Sequence, residues 1–257
     1  QFETQLAPPR EAFSIVTNVS APEGSSLSYE AESYRITHAL TEQCPETPTE
    51  LGTLEDLVVT VARERPRGIH FSGHGTPGSL VFENDEGFDD RVEVDRLVTE
   101  LRQCDDERLP PFFYLACCHG NTPPQPEKGQ AGSASSAAQL HRAGVTEVVG
   151  YYGPIADELS TRAEEALYGA IAAGEPTRLA IGKARVALLR GFADESVHRP
   201  ALARDAGVQA NVAHPFAWAQ LVLYRRGPEH PLGTPASREK LRRHEASLTR
   251  TYRNLLD

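Results

Sequence analysis

The sequence has no methionine, no apolar run of 18 residues and no excess of positive charge. Without such a run, nothing in it is expected to span a membrane. Lys and Arg number 26 against 36 Asp and Glu, a net charge of -10. That balance argues against nucleic acid bound directly by the core domain, although it leaves room for a local basic patch. Cysteine is scarce: Cys44, Cys104, Cys117 and Cys118 are the only four in 257 residues. A chain of this length needs no staples, and the spacing is not that of a disulfide framework, so a reducing compartment, the cytoplasm, is expected. With Gln1 first and no methionine anywhere, the chain is expected to be a fragment or processed piece, so a missing signal peptide carries little weight. Neither repeats nor a core-splitting linker is visible. The expected division is one domain over residues 1–230. A basic helix or extension over 231–257, with Leu241, Leu248 and Leu255 seven apart, either docks on that domain or leads into a missing neighbour.

What is present reads as strands alternating with helices. FSIVTNV (13–19) is a candidate first strand, Glu30 to Leu40 a helix, and CPETPTELG a loop. Leu54, Leu57, Val58 and Val61 recur at helical spacing, with Thr53 as N-cap and Pro66 as the stop. GIHFSGHG (68–75) predicts a short strand entering a glycine-rich turn, and SLVFEN (79–84) a strand closed by the acidic loop DEGFDD. VDRLVTEL (94–101) is an amphipathic helix. PFFYLACC (111–118) is too continuously apolar to face water on one side and suits a central parallel strand. Beyond a proline-rich loop (121–132) come the short helix SSAAQLHRAG, the strand TEVVGYYG (146–153), two helices (157–174 and 176–191) each stopped by glycine, and a final strand PFAWAQLVLY (215–224). The fold class expected is α/β: a three-layer α/β/α sandwich with a mostly parallel central sheet.

Two glycine-bounded strand ends stand out, SGHG at 72–75 and CCHG at 117–120. In a parallel α/β sheet, side chains just beyond the carboxyl ends of strands gather where ligands bind. A histidine on one end facing a cysteine on a neighbouring end is the pair a cysteine peptidase needs. Imidazole draws the thiol toward thiolate, thiolate attacks a carbonyl, and imidazolium protonates the leaving amine. Glycine beside each side chain exposes it and leaves backbone N–H groups to hold an oxyanion. A zinc site from His70, His74, Cys117, Cys118 and His119 is the rival. If the strand continues to residue 119, Cys117 and His119 share a face while Cys118 points away, so the three cannot converge on one metal. No cofactor and no metal are expected. His70 reads as a satisfied strand histidine, His119 as a local hydrogen-bonding or lining residue. SGHGTPG lacks the phosphate-loop pattern, and no G-x-S-x-G surrounds Ser72.

On these residues the chain resembles the CHAT branch of the caspase-like cysteine peptidases, with distant kinship to separases, gingipains and clostripain. The resemblance covers most of residues 50–224. GIHFSGHGTPGSLVF resembles the family's strand–histidine–glycine segment, PPFFYLACCHG its nucleophile strand, and EVVGYYGPIADE and HPFAWAQLVLY its later segments. Caspase-type sites place their histidine about 50 residues before the cysteine, and here His74 and Cys118 are 44 apart. The resemblance implies a thiol protease with His74 and Cys118 catalytic and the backbones of Gly75 and Cys118 as oxyanion hole. The usual CHAT turn carries one more residue before its glycine; Cys118-His119-Gly120 is nearer the caspase form. An ungapped strand match chooses Cys118, and matching the glycine instead makes Cys117 the alternative nucleophile. A gap is less costly in a turn than in a central strand, where a one-residue slip flips every side chain, so Cys118 is preferred.

Resemblance also implies that Asp157, in GPIAD after the next strand, lies at the base of a first specificity pocket for Arg or Lys. From the residues alone it fits equally well as a helix N-cap before ELSTRAEE. The implied partners are a protein or peptide substrate and an adjacent sensor or helical-repeat region, in a regulated bacterial stress or defence response. The alternative is a catalytically inactive CHAT-like scaffold or protein-binding domain.

Overall fold

The computed structural model describes residues 13–24, 29–41, 44–104, 108–123, 134–153, 155, 157–198, 216–228 and 231–232. The expected extension over 231–257 lies almost wholly outside them.

Six strands form the central sheet in the order β2-β1-β3-β6-β7-β8. The first five, β1 (Ile15–Val19), β2 (Glu46–Pro48), β3 (Gly68–Thr76), β6 (Phe112–Cys117) and β7 (Glu147–Tyr151), run parallel. β8 (Leu221–Arg225) closes one edge antiparallel to β7. A hairpin of β4 (Ser79–Glu83) and β5 (Asp89–Glu93) extends the last residues of β3. The central strands are buried nearly end to end, which is why their sequences read as continuous apolar runs.

One face packs on α2 (Leu54–Glu64), α3 (Val94–Cys104) and α4 (Ser136–Ala143) through Val16, Ile69, Phe71, Phe113, Leu115, Cys117 and Val148. The other packs on α1 (Tyr29–Thr41), α5 (Asp157–Ala172), α6 (Thr177–His198) and α7 (Ala217–Gln220) through Ile15, Phe112, Tyr114, Val149 and Tyr151. Thr53 caps α2 by accepting from the Asp56 N–H at 3.1 Å, and Arg65 ends the helix in the left-handed region just before Pro66.

Several local expectations need correction. CPETPTELG contains strand β2, which survives with Pro48 because it sits at the sheet edge. Part of the acidic segment after β4 is strand β5, since hairpin pairing outweighs the poor strand propensity of aspartate. SGHG is no turn: β3 continues through Thr76 by changing partners. The helix expected to stop at Gly191 runs on to His198. A Cβ at Gly191 would lie 2.8 Å from Leu159 Cδ2, so the glycine serves the packing of α6 on α5 rather than a cap. Within PFAWAQLVLY, AWAQ (217–220) is the helical turn α7 rather than strand.

Candidate functional site

β3 brings His74 to the carboxyl edge of the sheet. Through Gly73 it pairs in parallel with β6, ending on the pair Gly73 and Cys117. From His74 onward its partner is β4, with His74 opposite Val81. His74 is thus the first residue held by the hairpin, and it remains partly exposed.

Alternation assigns faces along both strands. Ile69 and Phe71 lie on the α2–α4 side with Leu115 and Cys117, while His70 lies on the other side and stacks on Tyr114. Cys117 is 2% exposed. Burial drives its thiol well above the usual range; the nearby Cys118 adds to that, and a hydrogen bond from the Gly120 backbone only partly opposes it. Cys118 begins the turn that follows β6 and is partly exposed. Strand geometry therefore stops at Cys117 and does not reach residue 119, which removes the premise used against zinc. Among the described residues no group of three or more His, Cys, Asp or Glu side chains is placed to hold a metal ion. All four cysteines are unbridged.

Gly75 is where the two strand ends touch. A Cβ built on it would lie 2.5 Å from the Cys118 carbonyl oxygen and 2.8 Å from Cys117 Sγ. No side chain fits without displacing backbone, so glycine here permits the close approach of the His74 and Cys118 segments. The turn itself is tied down on three sides. His119 takes φ 60°, a left-handed conformation uncommon for a residue with a side chain, and its carbonyl accepts from the Thr122 N–H at 2.9 Å. The Asn121 N–H donates to the Tyr151 carbonyl, and the Ala137 N–H at the start of α4 donates to the Gly120 carbonyl, both at 2.9 Å. The Thr122 hydroxyl donates to the Tyr152 carbonyl. His119 Nδ1 lies 3.2 Å from Thr122 Oγ1.

His70 is wholly buried, its Nδ1 2.8 Å from the Tyr168 hydroxyl, and burial lowers its pKa to about 3. It stays neutral but is only half satisfied, because its Nε2 is buried without a hydrogen-bond partner among the described residues. Asp157 opens α5 beyond the end of β7, where an acidic residue favours the helix dipole; its side chain lies outside the described set. Neither the hairpin grip on His74 nor the left-handed His119 was anticipated from sequence. The unequal glycine spacing after Cys118 was the one available hint of the latter. No helix among the described residues is long and apolar enough to cross a membrane.

No curated protein matches the chain. Among solved structures it is similar to the crystal structure of caspase-1 from Spodoptera frugiperda, with 10% identity, 88% of this chain and 92% of that chain covered, and a TM-score of 0.47. It is similar also to the structure of pro-sf-caspase-1, again with 10% identity and a TM-score of 0.47, over 86% of this chain and 93% of that one. The family model for the CHAT domain matches residues 14–226, which takes in every strand described above. The chain belongs to the CHAT domain family.

Proposed function

We propose that the protein is a cysteine endopeptidase in which His74 and Cys118 form the catalytic pair. The observation that carries this reading is the contact at Gly75, which sets the backbone beside His74 against both the Cys118 carbonyl and the Cys117 thiol, and of the two cysteines Cys117 is buried while Cys118 is partly exposed. An exposed thiol next to an imidazole can attack, whereas a buried one with a raised pKa stays protonated and inert.

In the proposed reaction the Cys118 thiol passes its proton to His74, and the thiolate adds to the substrate carbonyl carbon. The oxyanion is held by the backbone N–H groups of Gly75 and Cys118. His74 then gives the proton to the departing amine, leaving a thioester that water hydrolyses with His74 as base.

Asp157 supplies the basic-side-chain preference in this reading. A charge-assisted pair there is worth about 1.5–3 kcal/mol, a preference of roughly 10- to 150-fold for Arg or Lys over a neutral residue. Asp157→Asn should reduce cleavage after Arg or Lys by that factor and leave the fold intact, since losing one charge from a helix's first turn costs only about 0.3–1 kcal/mol. A peptide-library profile that does not change in the variant reduces Asp157 to a helix-start residue. A cytoplasmic role in a bacterial stress or defence response, switched by an adjacent sensor region, completes the proposal and rests on family resemblance.

Intact-mass analysis with an electrophilic Arg- or Lys-directed peptide probe tests the centre of it. Wild type and Cys117→Ala should gain one probe mass and Cys118→Ala none. Labelling lost in Cys117→Ala but kept in Cys118→Ala makes Cys117 the nucleophile. No labelling and no cleavage by the activated full-length protein would favour an inactive scaffold.

A further inference from the structure

Helix α6 buries one side and leaves a second apolar seam in water. Ala180, Ile181, Ala184, Leu188 and Gly191 face the body of the domain. On the outer side Leu179, Gly182, Val186, Leu189 and Ala193 follow one another at intervals of three, four, three and four residues, and all are exposed. Leu179 and Val186 are each 46% exposed and Leu189 51%. That is the spacing of the a and d positions of a heptad, the seam along which one helix receives another.

The seam is also shaped to receive. Leu179, Gly182, Lys183 and Val186 stand at i, i+3, i+4 and i+7, the four positions that frame the hole into which a partner helix inserts a knob. All four line one open cavity of about 470 Å³ between α5 and α6. A Cβ on Gly182 would meet nothing within 4 Å. Glycine in a helix interior is destabilising by about 1 kcal/mol relative to alanine, and among the described residues nothing occupies the space it leaves.

Charge identifies the occupant. With Leu179, Val186 and Ala193 at a and Gly182 and Leu189 at d, the flanking e and g positions are the cations Arg178, Lys183, Arg185 and Arg190, followed by Phe192 at the far end. From Thr177 to Ala193 the helix carries no acidic residue, in a chain whose net charge is -10. Lys183 pairs with Glu175 just before the helix, and Arg185 reaches the Leu221 carbonyl. The e and g charges of a coiled coil select its partner. A second copy would set cation against cation, so the seam is not self-complementary.

We propose that the outer face of α6 is a docking surface for an amphipathic helix of a partner protein, with apolar residues in heptad register and Glu or Asp beside them. The seam spans two heptads, about 21 Å at 1.5 Å per residue, and docking there is independent of any turnover.

Fluorescence anisotropy with three labelled three-heptad peptides tests this on the full chain: Leu at a and d with Glu at e and g, the same with Lys at e and g, and a scrambled Glu peptide. The Glu heptad peptide should bind saturably, at least about tenfold more tightly than the other two. It should weaken with added salt, as interactions between exposed charges do. Val186→Glu and Leu179→Glu, both at exposed positions that should leave the fold intact by circular dichroism, should each abolish the binding. Equal binding of the Glu and Lys peptides, equal binding of the scrambled peptide, or no binding at all would overturn the proposal. So would a concentration-dependent dimer of the chain itself, seen by sedimentation and lost in Val186→Glu, because the seam would then belong to a second copy.

Discussion

Toward α2, α3 and α4 the central strands β3, β6 and β7 offer Ile69, Phe71, Phe113, Leu115 and Val148, all hydrocarbon, with buried polar groups only around them at Asn18, Thr60 and Ser136. Toward α1 and α5 the same strands offer Thr17, His70, Tyr114 and Tyr151, joined in buried hydrogen bonds: Thr17 to Glu46 at 2.7 Å, His70 to Tyr168 at 2.8 Å, and Tyr114 to Tyr151 at 2.9 Å. Ser160 donates to Glu164 at 2.8 Å in the same layer. An apolar face tolerates exchange among residues of similar volume, whereas a polar network must keep every partner or leave a buried group unsatisfied. The two adjacent cysteines divide along this line. Cys117 belongs to the hydrocarbon side, and Cys118 leaves the strand in the turn beyond it.

The sharpest way to break the comparison is catalytic. Replacing His74 with alanine should lower turnover by about 100- to 10,000-fold, the usual contribution of a positioned general base, with substrate binding retained. Cys117→Ala should keep most turnover. Steady-state kinetics on a cleaved peptide decides, and equal losses in the two variants would mean that both faces serve the chemistry.

The next effect is on stability against pH, and it should arise on the polar side alone. Burial lowers the His70 pKa to about 3, from 6.5. The unfolded chain therefore binds a proton that the folded one refuses, and stability present above pH 6.5 is lost as pH falls toward 3. At 1.36 kcal/mol for each pH unit this amounts to about 5 kcal/mol. Glu46 runs the opposite way. Burial raises it from 4.5 to about 7, against hydrogen bonds from Thr17 and Thr37 that lower it. Its contribution is whole below pH 4.5 and lost as pH rises through 7, about 3 kcal/mol in all. Together the two groups place a stability maximum near pH 5.5. Urea melts across pH should show His70→Gln flattening the acid limb and Glu46→Gln the neutral limb. Between pH 4.5 and 6.5 the two slopes oppose each other and the wild-type maximum is broad, so the variants decide: no pH dependence emerging over that range in either variant would show that neither group is as desolvated as its burial implies.

The smallest effect sharpens the apolar side. Cys117→Ala should cost only about 1 kcal/mol in the same melts, as removal of one small buried group from a packed face does. A loss several times larger would mean that the thiol's hydrogen bond from Gly120 holds the turn.

How much of this was legible beforehand follows from the same physics. The parallel strands and α2 were readable because burial on both faces makes an apolar run and a capped helix carries its own signals at Thr53 and Pro66. The approach of the His74 segment to the cysteine pair was readable from the glycines beside them, although β3 runs on to Thr76 rather than ending in SGHG, and their catalytic roles rest on the resemblance. β2, β5, α7 and the passage of α6 beyond Gly191 were not, because each is decided by a neighbour: an edge partner, a hairpin partner, the start of β8, or the side of α5. Asp157 illustrates the limit. Its place at the head of α5 suits a helix dipole and a specificity pocket equally, and its sequence neighbourhood is the same in both cases.

The change of partner within β3 has a consequence in time. The contacts that grip His74 are local, across the short turn from Thr76 to Ser79, and a hairpin of this kind closes in about 1–10 μs. The contacts that bring Cys118 alongside join residues 44 apart, Gly68 with Phe112 through Gly73 with Cys117, and such distant parallel pairings form late. A nascent or refolding chain thus carries an ordered histidine long before it has a cysteine beside it. The pairing that would arm it forms only after the hairpin that grips its histidine.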